Sequence, residues 1–67
     1  MYIVIELQKD AKGVVSNIVT SYENLAEAES KYYSILSAAA ISNVPVHSAI
    51  IVSEEGFPVR NQCYKHQ

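Results

Sequence analysis

The sequence predicts an α+β domain of order ββαββ, a four-stranded antiparallel sheet in strand order 2-1-3-4 with one helix on one face. Three observations carry that expectation. Two alternating apolar stretches, Tyr2 to Gln8 and Val14 to Tyr22, flank a turn; a helical period runs from Asn24 to about Ser42; and two more strand-like stretches follow Pro45. All 67 residues belong to one domain, 1–67.

In the first strand, Ile3, Ile5 and Leu7 lie on one side and Tyr2, Val4 and Glu6 on the other. "KDAKG", Lys9 to Gly13, concentrates turn formers, with Gly13 free to take positive φ, and reads as a hairpin connection. "VVSNIVTSY" then supplies a second strand with weaker alternation and several hydroxyls, as suits an edge. Asn24 followed by Glu27 reads as a capping box, in which the Asn oxygen accepts from free backbone N–H groups and Glu27 reaches back. From there Leu25, Ala28, Tyr32, Ile35, Leu36 and Ala39 form one apolar stripe. The helix is expected to end near Ile41 or Ser42, with Asn43 as a left-handed cap and Val44 held out of helix by Pro45. "VHSAIIV", Val46 to Val52, is apolar enough to be a central strand covered on both faces. "SEEG" is a solvated turn, and Phe57 to Tyr64 is a last strand that Pro58 confines to an edge or a start.

Composition narrows the function. An apolar fraction of 49% with 18% charged residues is that of a chain that folds, and a domain this small gains stability from disulfides, metals or oligomers. Cys63 is the only cysteine, which excludes a disulfide within the chain and a cysteine-based metal cluster and leaves oligomerisation. The five basic residues are scattered over a net charge of −2, against a nucleic-acid polymer as partner. No apolar run approaches the roughly 18 residues of a membrane span, the first residues do not read as a signal peptide, and the lone thiol fits a cytoplasmic protein.

A four-stranded sheet is about 19 Å wide at about 4.8 Å per strand, whereas a helix is about 10–12 Å across, so one helix leaves sheet uncovered. The helix has a surplus too: Ala26, Ser30, Tyr33, Ser37 and Ala40 recur at intervals of three and four, a second stripe of small residues around one tyrosine. Such a stripe suits a second copy, another protein or a flat ligand, and equally a helix made soluble by Ala and Ser.

No catalytic constellation is recognisable. His47 could act as acid, base or ligand, but a histidine alone on a strand, with no carboxylate or second histidine close in sequence, fits a structural or interface role better. His66 lies in an expected frayed tail, and His47, His66 and Cys63 match no zinc spacing. Cys63 and Arg60 fall on opposite faces by alternation, and the two glycines, Gly13 and Gly56, build no phosphate cradle. Five tyrosines without tryptophan point instead to recognition by stacking and hydroxyl contacts, with Arg60 near Tyr64 as a group for a phosphate or carboxylate. The candidate interface or ligand residues are Tyr33, Ser37, His47, Arg60 and Tyr64. No cofactor and no metal is expected.

"MYIVIELQ", "NLAEAESKYYSILSAAAISNVPVHSAII" and "EEGFPVRNQCYKH" together resemble a family of small uncharacterised proteins of gut Gram-positive bacteria and their mobile elements and phages. The resemblance spans almost the whole chain and brings no motif of known role. It implies a non-enzymatic inhibitor that binds a host protein or sequesters a signalling nucleotide within an oligomer. The expectation is a homo-oligomeric binding protein acting through protein–protein interaction. Its alternatives are a nucleotide sponge with sites between subunits and, last, a small enzyme using His47.

Overall fold

The structure, a computed structural model, describes residues 1–66. Its elements are β1 (Tyr2–Lys9), β2 (Val15–Tyr22), α1 (Leu25–Ala40), β3 (Val46–Ser53) and β4 (Pro58–Lys65). The strands form one sheet in the order β2-β1-β3-β4, and every neighbouring pair is antiparallel. This is the α+β architecture and strand order expected from the sequence. No helix among the described residues is long and apolar enough to cross a membrane.

Local chemistry explains the joints. In the β1–β2 turn the Asp10 Oδ1 accepts from the backbone N–H groups of Lys12 at 2.9 Å and Val14 at 3.0 Å, while Gly13 takes φ +86°. At the start of α1 the Glu27 N–H donates to Asn24 Oδ1 at 2.9 Å. The Glu27 carboxylate reaches back as the capping box predicts, although it meets the Asn24 side-chain amide, at 2.6 Å, rather than the backbone. At the other end no non-glycine residue takes positive φ, so Asn43 is not the left-handed cap expected. The helix closes by a tightened last turn, with Ile41 and Ser42 N–H groups donating to Ala38 and Ala39 carbonyls.

The helix lies over β1 and β3. Ala28, Tyr32, Ile35 and Ala39 of the expected stripe are buried against the sheet, with Leu25 and Leu36 half-buried at its margin. The sheet contributes Val4, Ala49 and Ile51 to the same core. Alternation therefore turns Tyr2, Val4, Glu6 and Gln8 of β1 and His47, Ala49 and Ile51 of β3 toward the helix. The opposite set, Ile3, Ile5 and Leu7 with Val46, Ile50 and Val52, faces away. The expectation that β3 would be covered on both faces is thus corrected: one helix covers one face, and Val46, Ser48, Ile50 and Val52 keep partial exposure.

The two margins of the sheet differ. Arg60 of β4 pairs with Ile51 and Pro58 with Val52, so Val59 is an extra residue that bulges the strand. β2 keeps an unbroken register from Val15 to Tyr22 against β1.

Candidate functional site

An open cleft of about 730 Å³ lies between α1 and β4. Its helix wall is built from Tyr33, Ser37 and Ala40, its floor from Tyr32 and Leu36, and its far wall from Arg60, Gln62 and Tyr64. Periodicity explains the convergence. Tyr33 and Ser37 are one helical turn apart on one side of α1, and Arg60, Gln62 and Tyr64 alternate onto the helix-facing side of β4. Four of the five residues singled out from the sequence, Tyr33, Ser37, Arg60 and Tyr64, therefore share one cleft.

The cleft is ordered by contacts at its ends. Arg60 Nε donates to Glu29 Oε2 at 2.7 Å, and Glu29 precedes Tyr33 by one turn. That hydrogen bond, with the neighbouring tyrosines adding to it, raises the guanidinium pKa above its ordinary value. It also orients the planar group and leaves its terminal amino groups without a protein partner among the described residues. Tyr32 and Tyr33 meet edge to face, with ring centroids 5.1 Å apart and planes at 74°. Tyr32 is 4% exposed and Tyr33 52%, so the first is core and the second presents its ring to solvent. Burial pushes the Tyr32 phenol up, with Tyr33 reinforcing the shift. The charge and the free ring thus sit together at the Glu29 end.

His47 is elsewhere. It lies on β3 beneath the helix, 4% exposed, one strand inward from its register partner Tyr64 and outside the cleft lining. Its Nε2 meets Glu6 Oε2 at 2.6 Å, and the Gln8 amide donates to the same oxygen at 3.1 Å. Sequence reading saw no carboxylate near His47 because Glu6 is distant along the chain; the antiparallel register of β1 and β3 brings it alongside. The signal was available in the alternation, since Glu6 and Gln8 stand on the Val4 side of β1. His47 Nδ1 is buried without a partner among the described residues. In the Nε2–H tautomer the ring donor meets the carboxylate, and only an acceptor goes unmet.

His66 departs from the frayed tail expected of it. Its ring Nε2 lies 2.8 Å from the Ala39 carbonyl, and its backbone N–H donates to the Pro45 carbonyl at 2.7 Å. It thereby gives the Ala39 carbonyl, which already accepts from the Ser42 N–H, a second partner at the end of α1. Its ring lies nearly parallel to Tyr64, at 4° and 6.3 Å between centroids.

No family model matches this chain, and no curated protein or solved structure matches it significantly. Cys63 is exposed and alternates onto the sheet face opposite His47 and Arg60, so neither of these stands beside the thiol. Among the described residues no group of three His, Cys, Asp or Glu side chains could hold a metal ion. What the cleft offers is an aromatic face, a fixed guanidinium, a hydroxyl and an amide.

Proposed function

We propose that this chain is a non-enzymatic binding protein that works as a homo-oligomer joined through the open face of its sheet. The observation that carries the reading is the composition of that face. Ile3, Ile5 and Leu7 of β1 lie between Val15 and Val19 of β2 and Val46, Ile50 and Val52 of β3, and Val15 and Val19 are 59% and 57% exposed. Its charged residues on β1 and β4, Lys9 and Lys65, lie at one end, in register with Val46. An apolar surface bordered by Asn17, Ser21 and Asn61, with charge at one end, is the pattern of an interaction site. Eight-residue strands at about 3.3 Å per residue across a width of about 19 Å give a flat footprint of roughly 500 Å² per copy. Doubled, that footprint alone meets the roughly 1,000 Å² at which specific interfaces begin.

The Glu6–His47 pair supports the non-enzymatic part of the reading. It sits under the helix, where it completes a core hydrogen-bond network and offers no open position for a reacting atom. The exposed, unpaired thiol of Cys63 supports a cytoplasmic location.

Sedimentation equilibrium on the wild-type chain and Ile5→Lys tests the assembly. We expect a multiple of the 7.4 kDa chain mass that falls in the variant, with association weakened about tenfold or more. A wild-type chain that stays monomeric at tens of micromolar overturns the proposal.

The shared cleft favours a second reading, capture of a small nucleotide or another planar anion, with the base on Tyr33 and the anion at Arg60. Equilibrium dialysis against adenosine monophosphate checks it. Saturable binding that disappears in folded Tyr33→Glu is the expected result, and equal retention by both proteins rejects the cleft as the site.

A further inference from the structure

β2 carries a second kind of surface, its free backbone edge. The Asp10 N–H donates to the Val14 carbonyl at 3.0 Å, which sets the phase of the β1–β2 ladder. Antiparallel alternation then turns the N–H and C=O groups of Ser16, Ile18 and Thr20 toward β1 and those of Val15, Asn17, Val19 and Ser21 outward. Sheets ordinarily blunt such a row with charge, proline, a bulge or a covering element. β4 has the first three: Arg60 and Lys65, Pro58, and the bulge at Val59. β2 has none of them: its sequence VSNIVTSY holds no charged residue and no proline, and its register is unbroken. The helix does not cover it either, and Ile18, on the helix side, is 57% exposed.

From these features we infer that β2 pairs antiparallel with β2 of a second copy, extending the sheet to eight strands. A second copy is the occupant because the edge is self-complementary. In a register centred on Ile18, Asn17 of each copy faces Val19 of the other and Val15 faces Ser21, so all the outward backbone groups find partners. No like charges meet across the two-fold axis, and the exposed isoleucines come together on one side. The helices leave room: with α1 over β1 and β3, they run roughly 20 Å apart, well beyond a helix diameter of about 10–12 Å. The pairing is isologous and closes on itself. It is separate from the face-to-face contact proposed above, which buries a sheet face and leaves the edge open; together the two contacts give four chains.

Amide hydrogen exchange and native mass spectrometry on the full chain test the edge. In the wild type the amides of Asn17 and Val19 are expected to exchange at least about 100-fold more slowly than free peptide. Ile18→Lys, which sets like charges opposite each other at the centre, should abolish that protection and halve the mass, while the inward amide of Thr20 stays protected as a sign of folding. Asn17→Pro removes one outward donor without altering the apolar residues of the open face, and should likewise halve the mass and free the Val19 amide. Ile5→Lys should lower the mass through the face contact and leave Asn17 and Val19 protected. Free exchange at Asn17 and Val19 in the wild type, beside a protected Thr20, overturns the edge pairing whatever the mass. Unchanged mass in both folded edge variants also overturns it.

Discussion

Ile50 and Ile51 are adjacent and identical, yet they live in different environments. Ile51 is 0% exposed beneath α1, whereas Ile50 is half-buried on the opposite side of the sheet. The contrast extends to the whole sheet. The covered side holds Val4, Ala49 and Ile51 together with a polar network of Glu6, Gln8 and His47, while the uncovered side holds the more continuous set, Ile3, Ile5, Leu7, Val46, Ile50 and Val52. Hydrophobicity by itself did not choose the side. β2 and β3 run parallel with β1 between them, so β2–α1–β3 is a crossover, and such connections are right-handed in nearly all proteins. Handedness selects the layer the helix occupies, and the phase of the ladder selects which alternate residues face it. The apolar set left over lies on the open face.

The sharpest way to break this comparison is a charge on either of the two adjacent tyrosines of α1. Tyr32→Glu places a carboxylate in the core and should cost about 3 kcal/mol or more in urea unfolding, whereas Tyr33→Glu should cost about 0.5–1.5 kcal/mol, through the lost edge-to-face contact with Tyr32. Similar losses for both would mean that Tyr33 is also core.

Truncation of the isoleucines compares the faces directly. Ile51→Ala should destabilise the fold by about 2–5 kcal/mol, through lost burial and the cavity left behind. Ile50→Ala should act mainly on self-association, read as a weaker dimer by sedimentation. Equal folding costs at high dilution would erase the distinction.

A smaller effect separates the polar residues of β3. His47→Phe leaves the Glu6 carboxylate with Gln8 as its remaining side-chain partner and should cost about 1–3 kcal/mol, against about 0.5 kcal/mol or less for Ser48→Ala on the open face. Smallest of all, His66→Ala removes the ring contact to the Ala39 carbonyl and should cost about 0.5–1.5 kcal/mol. Faster amide exchange in the last turn of α1 is the accompanying sign.

Much of this was legible before any coordinates. Strand alternation, the Asn24–Glu27 cap and the 3.6-residue stripe depend on neighbours within one turn or one strand, and each appears where expected to within a residue or two. Tyr33, Ser37, Arg60 and Tyr64 were singled out by residue type without any sign that they would meet. The Glu6–His47 pair was missed because it rests on strand register across 41 positions, and His66 because its contact with Ala39 closes the chain on itself. Asn43 was misplaced for a different reason: propensity for a left-handed cap yields when the last helical turn tightens and satisfies its own carbonyls.

The sequence by itself determined the element order, the two periodicities and the absence of charge along β2, since these need only local sterics, hydrogen bonding and side-chain chemistry. Tertiary structure alone decided which sheet face the helix covers, which carboxylate meets His47 and which of the two edges is left unguarded. Those depend on crossover handedness and ladder phase, properties of the whole chain in space that no single segment encodes.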